Sequence, residues 1–100
     1  MKATLLLKSR EVLSTTAFVE RVLWLLPEPL SGSTHRLKYR LAFVVDGVCV
    51  VRYDNERGKG DHRHVGDLES DYPFSTPEVL LNDFWRDVAQ WRQTHEHRDD

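Results

Sequence analysis

Asp46-Gly47 sits between two runs of strand-forming residues, 37–45 and 48–54. A two-residue connection of this kind needs positive φ at both positions, and Asp-Gly supplies it in a type I′ turn. The pair therefore predicts a central antiparallel hairpin and fixes its register. In that register Val45 faces Val48, Phe43 faces Val50, Leu41 faces Arg52 and Tyr39 faces Asp54. The opposite face carries the pairs Val44–Cys49, Ala42–Val51, Arg40–Tyr53 and Lys38–Asn55. Near the turn both faces are apolar, and away from it both become polar. This pattern places the Asp46 end in the core and opens the Tyr39/Asp54 end to solvent. A slip of one residue would exchange the faces, and the turn resists it.

The flanks supply further elements. Residues 4–8 carry three consecutive leucines and form a short strand, followed by a polar turn cluster to Thr16. Residues 17–26 are rich in aromatic and β-branched side chains and predict a second strand. Helix competes there, because Val19, Val22, Leu23 and Leu26 also fit a 3.6-residue period. Pro27 and Pro29 stop either element. Residues 55–60 form a loop, 62–68 a further strand, and 69–73 an acidic loop.

Thr76 is a good N-cap, and Pro77 occupies the first helical position, where its missing N–H costs nothing. Leu81, Phe84, Trp85, Val88 and Trp91 then recur at helical spacing, with Asp83, Arg86 and Asp87 mostly on the other side. The expected fold class is α+β: an antiparallel sheet of about four to five strands around the Asp-Gly hairpin, packed by a C-terminal amphipathic helix. One domain spans 1–93, and 94–100 form a disordered tail.

Composition narrows the class. A chain of 100 residues suits one core, and 40% hydrophobic content with three tryptophans is too apolar for disorder. The net charge of −2 divides unevenly. Residues 1–53 hold eight Lys/Arg against four Asp/Glu, and 54–100 hold six against twelve. A basic half suits phosphate and an acidic half suits a basic partner, although a mixed solvated surface explains the same numbers. Cys49 is the only cysteine and is expected to be a buried structural thiol. No stretch has the length of a membrane span or the form of a signal peptide, so the expected location is the cytoplasm, without membrane association.

The stretch from Tyr53 to His64 concentrates chemistry-bearing groups. Cleavage of RNA needs a base near the 2′-hydroxyl, an acid near the leaving oxygen and fixed positive charge at the phosphate. His62 and His64 suit the acid and base roles, since imidazole titrates near neutrality. The candidate catalytic set is His62, His64, Lys59, Asp54 and Asp61, with either aspartate orienting a histidine. Arg40 and Arg52 are candidate phosphate ligands, and Gly58 and Gly60 permit close backbone approach. The spacing does not fit a P-loop.

Plainer explanations stand beside these. Gly58-Lys59-Gly60 matches an ordinary surface loop, Asp54 a turn cap, and Arg52 a side chain lying over a sheet edge. A histidine pair falls short of a metal site, so no metal and no cofactor is expected. The rival with metal would use Asp54, Asp61, His62 and His64. His35 and the pair His95/His97 look incidental.

Tyr39-Arg40-Leu41-Ala42, Val45-Asp46-Gly47, Arg52-Tyr53-Asp54-Asn55 and Gly58-Lys59-Gly60-Asp61-His62 with His64 together resemble the TumE-like toxin family. Phe84-Trp85 in the last helix is also similar. The resemblance covers most of the chain. It implies the toxic partner of a bacterial two-protein toxin–antitoxin operon, acting on or blocking an RNA-dependent step. It also implies a neighbouring antitoxin that carries a helix-turn-helix. Two functions follow: a metal-independent ribonuclease toxin, or a non-catalytic module that binds RNA or protein. The mixed signs of Glu56, Arg57, Lys59, Asp61 and Arg63 favour the second over a pure phosphate patch.

Overall fold

A computed structural model describes residues 2–95. Six strands follow one another in the sheet as they do in sequence, each antiparallel to the next. They are β1 (Thr4–Val12), β2 (Ala17–Leu25), β3 (Leu37–Val45), β4 (Val48–Glu56), β5 (Gly60–Val65) and β6 (Leu68–Asp71). A single helix, α1 (Pro77–His95), packs across β3 and β4. The fold is α+β, with more strands than the four to five expected.

The additional strand is β6, in the segment expected to be an acidic loop. Gly66, with φ 59°, lets the chain reverse there, so that Val65 pairs with Leu68 and His62 with Asp71. Strand β1 also runs four residues past its expected end, because Ser9 to Val12 pair with Arg21 to Phe18 of β2. The second segment is strand rather than helix.

Asp46 and Gly47 have φ 51° and 78°, and Val45 pairs with Val48. Beyond Val44–Cys49 the observed register departs from the expected one: Phe43 pairs with Val51, Leu41 with Tyr53 and Arg40 with Asp54. Val50 is an extra residue in β4 and forms a bulge, its carbonyl accepting from Gly66 N–H at 2.9 Å. A bulge reverses which side chains face the core from that point on. Val51, Tyr53 and Asn55 turn under the helix and are buried, while Arg52 and Asp54 turn outward.

The expected burial of the hairpin ends is also overturned, because the core extends over the Tyr39/Tyr53 end. Tyr39 and Tyr53 are buried, while Val48 at the turn is 60% exposed. Cys49 is exposed rather than a buried structural thiol.

The core lies between one sheet face and α1. It comprises Val19, Leu23, Tyr39, Leu41, Phe43, Val51 and Tyr53 from the strands and Leu80, Phe84 and Val88 from the helix. Thr76 caps α1, its Oγ1 accepting from Val79 N–H at 3.1 Å. Leu81, Trp85 and Trp91 are only partly buried. Asp87, assigned to the polar side by spacing, is buried beside Tyr53 and Arg63. The helix continues to His95, with Thr94 Oγ1 donating to the Gln90 carbonyl. The rest of the expected tail, 96–100, and with it His97, lies outside the described residues.

Candidate functional site

The register that buries Tyr53 sets the outer face by alternation. Two cross-strand rows lie there, on the side away from α1. One runs Arg40, Asp54, His62, Asp71, and the other Ala42, Arg52, His64, Glu69. The pleat of β5 puts His62 and His64 on the same side, about 7 Å apart along the strand.

Each imidazole has a defined environment. His62 Nε2 lies 2.8 Å from the Lys59 carbonyl, which only accepts, so this nitrogen carries a proton. His62 Nδ1 lies 3.0 Å from Glu69 Oε2. The Lys59 carbonyl, with Glu69 and Asp71, outweighs partial desolvation and raises the His62 pKa. His64 Nε2 lies 2.9 Å from Arg52 Nη2. A guanidinium only donates, so this nitrogen is the acceptor and carries a lone pair. Glu69 Oε2 is also 3.7 Å from His64 Nε2. Arg52 Nε lies 3.1 Å from Asp54 Oδ2. Arg52 Nε and His62 Nδ1 are buried and make no aligned hydrogen bond among the described residues, so their carboxylate contacts are ionic rather than directional.

The structure thus brings together His62, His64, Asp54, Arg52 and Arg40. It places the remaining candidates elsewhere. Asp61 pairs with Asn55 and faces the helix side, where it accepts from Tyr39 Oη at 2.6 Å and meets His35 Nε2 at 2.8 Å. It orients neither His62 nor His64. Lys59 stands on the exposed turn with its ammonium 3.9 Å from Glu56, and touches His62 only through its carbonyl. Gly58 and Gly60 have φ 80° and 76°. The Gly58 N–H donates to the Ser31 carbonyl, which ties this turn to the 31–33 loop. Among the described residues, no three His, Cys, Asp or Glu side chains converge as a metal site.

Several contributors escape a reading of the chain alone. Glu69 and Asp71 join the site because β6 folds back on β5. The available signal was Gly66-Asp67, a two-residue turn with glycine first, which aligns 62 with 71 and 64 with 69. His35 is not incidental: it stacks on Phe74 at 3.9 Å and pairs with Asp61. Asn55 crosslinks β4 to β3, its Oδ1 accepting from Tyr39 N–H and its Nδ2 donating to the Leu37 carbonyl. Burial and the Asp61 bond hold the Tyr39 hydroxyl far above its usual titration range, so it stays un-ionised and donates to Asp61.

A helix-backed antiparallel meander with an ionisable outer face defines a small α+β domain. The chain belongs to the Toxin TumE family, whose family model matches residues 2–92, most of its length. No curated protein and no solved structure matches it. No helix among the described residues is long and apolar enough to cross a membrane.

Proposed function

We propose that the protein is the toxin of a two-protein toxin–antitoxin pair and acts in the cytoplasm as a metal-independent ribonuclease. The observation that carries this reading is the His62/His64 pair on one face, with a proton of one ring fixed by the Lys59 carbonyl and the other ring holding a lone pair toward Arg52. As Arg52 turns from His64 to the phosphate, His64 Nε2 is freed to take the proton from the RNA 2′-hydroxyl, the 2′-oxygen attacks phosphorus, and the 5′-oxygen leaves with a proton from the His62 ring, which turns out from Glu69 to deliver it. Arg52 and Arg40 neutralise the phosphate as charge develops. The Lys59 carbonyl and then Glu69, rather than Asp61, favour the protonated form of His62. Family membership supports toxicity and an antitoxin partner, which on this reading carries a helix-turn-helix. The acidic β6 edge, with Glu69 and Asp71, suits a basic segment of that partner.

One observation favours the non-catalytic alternative. The outer-face cations are partly matched already, Arg52 by Asp54 and His62 by Glu69, as on a polar protein-binding surface. Inducible expression in a bacterial host separates the two. The ribonuclease reading expects growth arrest with RNA breakdown for the native chain, and neither for a folded His62→Ala variant. Arrest with intact RNA favours binding alone. Unchanged RNA breakdown in folded His62→Ala removes the assigned site.

A further inference from the structure

Trp24 lies on the outer face, apart from the other two tryptophans, which pack against the core. It is 36% exposed and has no ring or cation stacked on it among the described residues. Its cross-strand partners are Leu5 on β1 and Lys38 on β3, and Val22 two residues earlier is paired with Arg40. Val22, Trp24, Lys38 and Arg40 line a shallow depression of about 230 Å³. That is smaller than the roughly 300–1,000 Å³ typical of small-molecule sites, and suits a single flat group.

Charge complements the aromatic surface. Arg40 is exposed and has no hydrogen-bond or ion-pair partner among the described residues. Lys38 Nζ donates to the Asn55 carbonyl at 3.0 Å, so its positive charge is not neutralised there. Of the nearby carboxylates on this face, Glu20 is engaged by Arg10 and Asp54 by Arg52. Arg40 also belongs to the row that leads through Asp54 to His62. Three interstrand steps separate β2 from β5, about 14 Å at the usual sheet spacing. A few nucleotides of extended single strand cover that span.

We infer that Trp24 with Val22 forms a base-stacking subsite for single-stranded RNA, and that Arg40 and Lys38 hold its phosphates and direct the strand toward His62 and His64. The choice of RNA as ligand rests on the proposed ribonuclease reading. Every base has a π-face, so the subsite selects unpaired over paired strands rather than one sequence. A duplex keeps its bases stacked inside and offers Trp24 nothing.

Fluorescence anisotropy with a short labelled oligouridylate tests this, using the His62→Ala protein so that the probe stays intact. The single strand is expected to bind more tightly than the same length of duplex. Trp24→Ala is expected to weaken it about tenfold with little change in salt dependence, and Trp24→Phe to retain most of the affinity. Arg40→Ala is expected to weaken binding and flatten the salt slope. Thermal melting confirms that each variant is folded. Equal affinity for duplex and single strand, or an unaltered affinity in folded Trp24→Ala, overturns the inference. Trp24-dependent binding without cleavage by the native chain upholds the subsite and fails the ribonuclease. Native-like RNA cleavage by Trp24→Ala does the reverse.

Discussion

Arg63 on β5 clamps Asp87 on α1 through two hydrogen bonds, Nε to Oδ2 at 2.6 Å and Nη2 to Oδ1 at 3.0 Å. Tyr53 Oη donates to the same carboxylate from β4, so one buried acid joins two strands to the helix. Burial alone would raise the Asp87 pKa. The bonds from Arg63 and Tyr53, with the charges of Arg63 and Arg86, outweigh it and hold the carboxyl below its usual range. Asp87→Ala takes the counter-ion from the Arg63 guanidinium, which keeps only its bond to Tyr53 Oη, and leaves the Tyr53 hydroxyl in the core with its Asp87 bond gone. A loss of about 2–4 kcal/mol is expected, at the lower side of a buried pair because Arg63 is partly exposed. Denaturant unfolding reads it directly.

The same carboxylate makes a prediction about acid. Its folded pKa is depressed, so its stabilisation is complete above the unfolded value near ~3.9 and is lost as pH falls through the lower folded value. The stability gap between the native chain and Asp87→Asn should therefore be constant from neutrality to about pH 4 and close below it. A gap that closed near neutrality would place the effect in another group.

His62 behaves in the opposite sense. Its folded pKa is raised, chiefly by the Lys59 carbonyl and then by Glu69 and Asp71. Its stabilisation is complete below the unfolded value near ~6.5 and fades as pH rises through the folded value. Glu69→Gln removes one of the two carboxylates and should lower the imidazole pKa. NMR titration of the His62 ring in both proteins measures it. If His62 is the acid of an RNA cleavage step, the alkaline limb of the rate profile moves to lower pH in the same variant.

Gly32 has φ 87°, and a Cβ there would come within 3.0 Å of the Gly58 backbone. Two penalties coincide at Gly32→Ala: a left-handed conformation that side chains disfavour, and a collision with main chain that cannot swing aside. About 1–3 kcal/mol of destabilisation is expected by thermal melting. Because the Gly58 turn leads into the Lys59 carbonyl that holds His62, the His62 resonance should also move.

What the chain disclosed and what it hid follow from the range of each interaction. The alternation in 17–25 and the Thr76-Pro77 start of α1 are local, and both segments form as their residues dictate. The Val50 bulge is not local: it satisfies Gly66 from the neighbouring strand and is invisible until β5 is in place. Missing it exchanged the faces of β4 beyond Val50, and so set Leu41 against Arg52 instead of Tyr53. The site was legible as a cluster of residue types, not as a geometry. His62 and His64 share a face because spacing by two in a strand requires it. Asp61, one residue away, goes to the opposite face for the same reason. Glu69 could be placed only by pairing β6 with β5.

The helix stripe offers a last prediction in which neighbours are compared. Spacing alone gives Phe84 and Trp85 equal standing. Phe84 is fully buried and meets Tyr53 edge to face at 5.9 Å. Trp85 is only partly buried, with the Arg21 guanidinium 5.4 Å from its ring centre. Removing Phe84 opens a cavity beneath the middle of the helix, where the Tyr53–Asp87 network limits collapse. Removing Trp85 uncovers a flank that solvent already reaches. Phe84→Ala should therefore cost about 3–5 kcal/mol, enough to unfold a domain of ordinary stability, and Trp85→Ala distinctly less despite its larger ring. Paired denaturant curves decide the order. Equal losses would mean that Trp85 is as deeply engaged as Phe84, and that the helix lies closer to β2 than its packing on β3 and β4 indicates.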